Sequence, residues 1–311
     1  MESSFTRRQA LFGALAGSAL LSSDLFLSRS MAHTGGRQGG LTTTKLSDNL
    51  YLVDGGGGNV AVLTGDVTVV VDSKLSSVTA PLIAEIGKIS GKPTGILINT
   101  HWHGDHVGSN VEIGKAGALI IAHENTRKRL SVDTEVEFLG SKSPAMAKQG
   151  LPVVTFKDSL TIHENGENIH MQHVDPAHTD TDIFLHFENA NVVHCGDLFF
   201  NGLYPFIDYS TKGWIGGMVA SSDVILKHID SKTKLIPGHG AVTNKEGLMA
   251  FRDMLEGIHG KVEPMVKAGK SEAEVVAAKP TADFDAKWGK GFLAPDKFAS
   301  LVYRTIVKHI G

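Results

Sequence analysis

The sequence predicts a layered α/β domain, on three grounds. Short β-rich runs fall in two series, one over residues 50–99 and one over residues 170–236. Stretches with apolar residues at helical spacing lie between and after them. No composition break or internal repeat divides the 311 residues, and 41% of them are hydrophobic against 20% charged, so one sizeable core is expected.

In the first series Leu50–Val53, Val60–Leu63 and Val67–Asp72 read as strands, each an aliphatic run bounded by turn residues. Gly55–Gly58 separate the first two. A phosphate cradle would need a helix start behind it; a strand follows instead, so these glycines read as a hairpin loop. Pro81 opens a helix carrying Leu82, Ile83, Ile86 and Ile89 at helical spacing, closed by Gly91-Lys92-Pro93. Ile96–Asn99 is the next strand. The second series comprises His170–Val174, Ile183–Phe187, Asn191–His194 and Lys234–Ile236, with a helix over Trp214–His228. The C-terminal portion reads as helical over Lys245–Lys267, Ser271–Ala278 and Asp296–His309.

Residues 1–32 read as an address. Thr6-Arg7-Arg8-Gln9 precedes a mild apolar run, Ala10–Leu21, which Asp24 interrupts, and Ser30-Met31-Ala32 offers small residues at a cleavage site. Paired arginines before a weak apolar stretch resemble a bacterial twin-arginine export signal. The run is well short of the ~20 residues a spanning helix needs, so no stable membrane anchor is expected. Export by that machinery, to the periplasm or beyond, suits a folded cargo. Residues 33–44 read as a Gly-rich linker and 45–311 as a single domain. Removing residues 1–32 takes away three arginines against two acids, which moves the formal charge from −3 to −4. Neither value gives the basic field that gathers nucleic acid; the expected partner is a small molecule. The single cysteine, Cys195, excludes an intrachain disulfide.

The chemistry concentrates after the strand at 96–99. Residues 101–106 read His-Trp-His-Gly-Asp-His. Alternation lets His101 and His103 project toward one point, while Asp105 and His106 turn toward a second. Imidazole with carboxylate suits zinc. Gly104 and Gly108 fit a sharply bending backbone. Three further candidates sit near strand ends: His178, Asp197 and His239. Each alone is ordinary; the set and its order are not. Cys195, two residues before Asp197, reads as a buried small apolar residue rather than a ligand. His123, His163, His170, His173, His186, His194, His228, His259 and His309 read as structural or solvated.

This pattern resembles the metallo-β-lactamase superfamily. The matching features are the His101-x-His103-x-Asp105-His106 loop, His178 between strands, Gly196-Asp197, Gly238-His239 and the earlier Val71-Asp72. The resemblance covers about residues 50–240. It implies a four-layer αβ/βα sandwich, two mixed sheets with helices on the outer faces and two metals at one edge. It assigns one Zn2+ to His101, His103 and His178, a second to Asp105, His106 and His239, and makes Asp197 the bridge. Asp72 becomes the carboxylate that holds a ligand histidine by its other ring nitrogen. A hydroxide between the metals, its pKa lowered to about 7, would attack a carbonyl substrate, with Asp105 and Asp197 in the catalytic centre. No serine or cysteine nucleophile is then needed.

The family hydrolyses lactams, lactones, thioesters, phosphodiesters and sulfate esters, so fold does not name the substrate. In the best-known metallo-β-lactamases a cysteine stands at the position of Asp197, and a lysine three residues later grips the drug's carboxylate; here that residue is Phe200. The full ligand set with Asp197 looks more like glyoxalase II and lactonases. Lactone, thioester, ester or cyclic-amide hydrolysis is therefore the leading expectation. A metallo-type β-lactamase is the alternative, and a non-hydrolytic metal-binding protein of this fold is the rival of another class. His103 stands where flavodiiron-type oxidoreductases typically carry Glu, and no nuclease-type extra domain is visible. Trp102, Phe200, Tyr204 and Trp214 are candidate walls of an apolar substrate pocket.

Overall fold

The computed structural model describes residues 40–311. The expected export signal and the expected linker up to residue 39 lie outside the described residues. In chain order the strands are β1 (Thr42–Lys45), β2 (Leu50–Asp54), β3 (Val60–Leu63), β4 (Thr68–Val71), β5 (Thr94–Ile98), β6 (Leu119–His123), β7 (Thr134–Val136), β8 (Ser141–Ser143), β9 (Val154–Phe156), β10 (Ser159–Glu164), β11 (Glu167–His173), β12 (Ile183–Phe187), β13 (Val192–Phe200) and β14 (Lys234–His239). The helices are α1 (Thr79–Ser90), α2 (Gly104–Val107), α3 (Asn110–Lys115), α4 (Glu124–Leu130), α5 (Ile215–Lys227), α6 (Lys245–Lys267), α7 (Glu272–Ala277), α8 (Asp285–Trp288) and α9 (Pro295–Ile310).

Two mixed sheets result. The first runs β1-β2-β3-β4-β5-β6-β9, antiparallel as far as β4 and parallel beyond it. The second runs β10-β11-β12-β13-β14, antiparallel except for the final β13–β14 pair. β7 and β8 form a separate ribbon.

Side-chain alternation sorts the strands into three apolar layers. Along β3, Ala61 and Leu63 enter the core between the sheets, whereas Val60 and Val62 face Leu82 and Ile86 of α1. The other side of the inter-sheet core comes from Ile169, Met171, Leu185 and Ile236. A third core packs Val193, Cys195 and Leu235 against Leu248, Phe251 and Leu255 of α6 and Leu301 and Val302 of α9. The order is helix, sheet, sheet, helix, the four-layer sandwich expected from the sequence. β4 is buried at every position, since it has one core on each face, and so it reads as an unbroken Val run.

Some elements differ from expectation. The residues at the end of the expected linker, Thr42 to Thr44, already belong to β1, paired with β2 from Thr42↔Asp54 onward. α1 begins at Thr79, two residues before Pro81; a proline in the first turn forfeits no helical hydrogen bond. Gly91 ends it with φ +68 and donates its N–H to the Gly87 carbonyl. β13 runs on to Phe200, because β14 pairs with it in parallel through register shifts at Gly196. β6 to β10 and α4 are additional to the elements expected from the sequence; β10, for instance, alternates exposed and half-buried residues with no fully buried one, so it carries no aliphatic run.

The carboxyl ends of β4, β5, β13 and β14 converge on one edge between the sheets, where ligands of open α/β sheets bind. Ties across the gap close that edge. Ile183 N–H donates to Thr100 O (2.9 Å), Asn59 N–H to Gly238 O (2.8 Å), and Arg129 pairs with Asp180 at 2.6 Å. His123 at the end of β6 stacks on His173 at the end of β11, ring centroids 3.7 Å apart and planes within 9°.

Burial, then the neighbouring His173, pushes His123 down to about 4. Between about pH 6.5 and 4 the unfolded chain therefore takes up a proton that the folded chain refuses, and stability falls as pH falls through that window. His123→Asn keeps an acceptor for the Asn125 N–H that His123 Nδ1 now caps. Its melting temperature is expected to drop less steeply between pH 7 and 4.5 than that of the unmodified protein. Parallel melting profiles would refute this role for the ring.

Candidate metal centre

Five imidazoles and two carboxylates meet at the sheet edge, and each comes from a strand end or the turn behind one. His101 and His103 follow β5, and the single helical turn α2 carries Asp105 and His106. His178 lies in the loop between β11 and β12, Asp197 within β13, and His239 closes β14. Six of the seven are buried and His239 is half-buried.

The seven fall into two groups able to hold a cation: His101, His103, His178 and Asp197, and Asp105, His106 and His239. Within each group the ligand-type atoms lie within 4.8 Å of one another. Asp197 faces both. Its Oδ2 lies 3.9 Å from His101 Nε2 and 3.4 Å from His178 Nε2, while its Oδ1 lies 3.1 Å from His106 Nε2 and 3.5 Å from His239 Nε2.

Outer partners fix which ring nitrogen points inward. His106 Nδ1–H donates to Asp72 Oδ2 (2.7 Å), His103 Nε2–H to Asp208 Oδ2 (3.1 Å) and His178 Nδ1–H to Phe206 O (2.8 Å). Thr100 spends its hydroxyl proton on Asp72 Oδ2 (2.7 Å), so His101 Nδ1–H donates to Thr100 Oγ1 (3.1 Å). The nitrogens left facing inward are then His101 Nε2, His103 Nδ1, His106 Nε2 and His178 Nε2; those of His103 and His178 lie 2.8 Å from each other, while those of His101 and His106 have no partner. Asp72 holds its carboxylate ready through a further bond from Thr100 N–H (2.8 Å). Its own φ is +64°, in the left-handed region that Asp tolerates better than most residues.

The residues fit a metal. His101 Nε2, Asp105 Oδ2, His106 Nε2, Asp197 Oδ1 and His239 Nε2 are all buried and without a hydrogen-bond partner. An unsatisfied buried polar atom costs about 1–3 kcal/mol, and five of them sharing one centre call for a common partner. Imidazole and carboxylate donors are those of zinc and similar divalent cations.

Electrostatics point the same way. Burial alone would raise the two carboxylic acids. His106 and His239 outweigh it and bring Asp105 down to about 2, and His106, His239 and His178 hold Asp197 well below the carboxylate range. Burial likewise opposes charge on the histidines. Against it, Asp197 and Asp105 lift His239 to about 9, and with Asp72 they lift His106 well above its ordinary value. In His101 and His178 burial prevails; His178 falls to about 4. The cluster thus favours positive charge between Asp105 and Asp197 and neutral rings at His101 and His178.

Glycines make the approach feasible. A Cβ on Gly58 would overlap the His106 ring, and one on Gly238 would overlap Asp197 Oδ1. The Gly55–Gly58 hairpin read from the sequence is therefore also the surface on which the second group rests. Gly108 is needed for closeness rather than bending: its φ is −62°, and a Cβ there would strike the backbone of Leu75 and Ser76. Gly104 has open space around it.

Three contributors were not legible in the sequence. Asp208 and Asp182 sit in ordinary polar turns; Asp182 accepts from His178 N–H and Thr179 N–H, each 2.8 Å. Burial pushes Asp182 up to about 7, against those bonds. Lys74 is fully buried, and its Nζ donates to Gly58 O (2.9 Å). Burial lowers it to about 8, while Asp54, Asp72 and Asp105 act to keep its charge.

A cleft opens over the cluster, lined by His103, Asp105, Asp197, Phe200, Leu203, Tyr204, Phe206, His239 and Phe292. Of the four aromatics expected at a pocket, Phe200 and Tyr204 line it. Two corrections apply. Trp102 turns away into a satellite core with Val107 and Leu130, since side chains alternate between the two ligands flanking it. Trp214 lies at the start of α5, stacked 3.5 Å from His309 of α9. Cys195 belongs to the apolar core beneath, where burial pushes its thiol up and away from thiolate chemistry.

Comparison with known proteins accords with this geometry. The sequence profile of the Metallo-beta-lactamase superfamily matches residues 53–273. A UPF0173 metal-dependent hydrolase from Archaeoglobus fulgidus is 30% identical over 177 residues, which cover 51% of this chain and 72% of that protein. A metallo-beta-lactamase from Pontibacter korlensis superposes with a TM-score of 0.59 at 16% identity, over 70% of this chain and 99% of that one. A double mutant of the sec-alkyl sulfatase PisA1 reaches 0.62 at 16% identity over 85% of this chain, which spans half of the sulfatase. At these identities the two structures speak for the fold alone.

Lys74→Met should destabilise the protein by about 1–3 kcal/mol, because the Gly58 carbonyl loses its donor and three carboxylates lose a neighbouring cation. Urea denaturation measures it. An unchanged or raised midpoint would show that burying the ammonium costs as much as it returns.

Proposed function

This chain belongs to the metallo-β-lactamase superfamily and is a metal-dependent hydrolase, and from that premise we propose that it uses two zinc ions to hydrolyse a carbonyl compound: a lactone, thioester, ester or cyclic amide. The observation that carries the proposal is the set of partnerless buried atoms on His101, Asp105, His106, Asp197 and His239. We assign His101, His103 and His178 to one ion, Asp105, His106 and His239 to the other, and Asp197 to both. When bound, the ions supply Lewis acidity that activates water and polarises a carbonyl.

The protein's own groups do the rest. Asp72, Asp208 and the Phe206 carbonyl lock three imidazoles in the tautomer that faces inward, so little ordering is left for the moment of binding. Asp105 and Asp197 line both cluster and cleft, so the carboxylates that would hold the cations also face the space an attacking water must enter. Phe200 stacks on His239, ring centroids 5.1 Å apart, and shields that side from bulk water. Among the described residues no serine or cysteine lines the cleft as a rival nucleophile. The paired Arg7-Arg8 supports export of the folded chain by the twin-arginine route to a bacterial periplasm or beyond. No helix among the described residues is long and apolar enough to cross a membrane.

Metal analysis of the purified protein should find about two ions per chain, and a chelator should abolish hydrolysis that added zinc restores. His101→Ala and Asp197→Ala are expected to lose metal and turnover together. Asp72→Ala should weaken zinc binding roughly 10–100-fold. A panel of chromogenic lactone, thioester, ester, β-lactam, phosphodiester and sulfate-ester substrates reads the chemistry. Full turnover in either ligand variant, or turnover of phosphodiesters or sulfate esters alone, would sink the proposal.

A further inference from the structure

The cleft above the cluster has a lining of two kinds: His103, Asp105, Asp197 and His239 of the cluster, and the apolar Phe200, Leu203, Tyr204, Phe206 and Phe292. Among the described residues no lysine or arginine lines it. The one hydroxyl in the apolar set is turned away: Tyr204 Oη donates to Asp285 Oδ1 (2.8 Å), and its ring stacks on Phe298 with centroids 4.5 Å apart. The cleft therefore receives the face of Tyr204 and not its polar tip. Phe200 and Phe206 flank the histidines, with centroids 6.0 and 6.1 Å from His178. Opposite them stand Leu203 and Phe292, both half-buried.

The C-terminal helices supply the last wall. Phe292 lies in the turn between α8 and α9. Gly291 brings that turn against Leu203, whose Cδ2 lies 2.6 Å from where a Cβ on Gly291 would stand. Tyr204 N–H donates to Trp288 O (3.0 Å), which fixes the turn to the segment after β13. Apolar surface that stays half-exposed beside a polar reaction centre gains free energy when a substrate group covers it, whereas a charged group seated there would lose its hydration with nothing to replace it.

We propose that the part of the substrate pointing away from the cluster is an uncharged alkyl or aryl group, seated between Phe200, Phe206, Leu203 and Phe292, and that Phe292 sets this preference. The inference rests on the hydrolase reading above for the position of the cations. It selects among carbonyl compounds: apolar acyl esters, thioesters and lactones are accepted, and substrates with a carboxylate on the remote side are discriminated against.

The test uses binding, so that it does not depend on turnover. The zinc-loaded full chain is titrated calorimetrically with straight-chain alkyl hydroxamic acids of increasing length and with a matching series ending in a carboxylate. Affinity for the alkyl series should rise up to about fourfold per methylene until the tail outgrows the cleft. At equal length the carboxylate series should bind at least about tenfold more weakly. Phe292→Lys should flatten the alkyl series and bring the carboxylates level with it or ahead, at unchanged zinc content; a general loss of packing would weaken both series alike. A flat alkyl series, or equal affinity for the carboxylates in the unmodified protein, overturns the inference even if zinc loads and esters are cleaved. Failure to load zinc overturns the hydrolase reading, and this inference with it.

Discussion

Two carboxylates and five imidazoles share one buried edge, and five of their inward atoms find no hydrogen-bond partner in the protein. Everything around that edge follows from the need to bring like groups so close. Two bare carboxylates 3–4 Å from a common set of ring nitrogens can persist only where positive charge sits between them. The raised His106 and His239 and the depressed Asp105 and Asp197 express that demand. The backbone yields to it as well. Asp72 and Lys74 both adopt positive φ, and Gly58 and Gly238 give up side chains so that His106 and Asp197 can occupy the space. Strain and close approach gather where the chemistry is, and the rest of the fold supplies the rigidity that keeps them.

That rigidity comes from the two sheets. Four of the five inward imidazoles are held from behind, His101 by Thr100, His103 by Asp208, His106 by Asp72 and His178 by the Phe206 carbonyl, and Thr100 links two of these holds through Asp72. Asp208 reaches His103 across 105 residues of sequence, and Asn59 ties the first hairpin to Pro237 O and Gly240 O of the last strand at 2.9 Å each. The inter-sheet core sets the spacing, and the polar ties at its rim convert that spacing into orientation. Lys74 belongs to the same scheme: its ammonium braces the glycine hairpin against α2 from beneath.

Above the cluster the character changes. The walls come from the segment after β13 and from the C-terminal helices, which make the outermost layer of the sandwich. Tyr204 is anchored outward and Phe292 leans in over Gly291. One layer thus both stabilises the fold, through the α6 and α9 core, and shapes the mouth of the site.

The sequence by itself determined the layered α/β class, the long amphipathic helices and the identity and order of the seven converging residues. It could do so because three histidines and an aspartate in six positions leave the backbone few ways to disperse them, and because buried strands and helices carry their periodicity openly. It did not determine which groups orient the histidines, why four glycines precede Asn59, or which aromatics face the cleft. Trp102 and Trp214 looked equal to Phe200 and Tyr204 along the chain, yet alternation beside the ligands sends one into a satellite core and helix packing sends the other to His309. Those outcomes depend on contacts between residues tens to more than a hundred positions apart. Only the packing of the sheets and helices on one another decides them, since local backbone preference carries no information about what a side chain will meet.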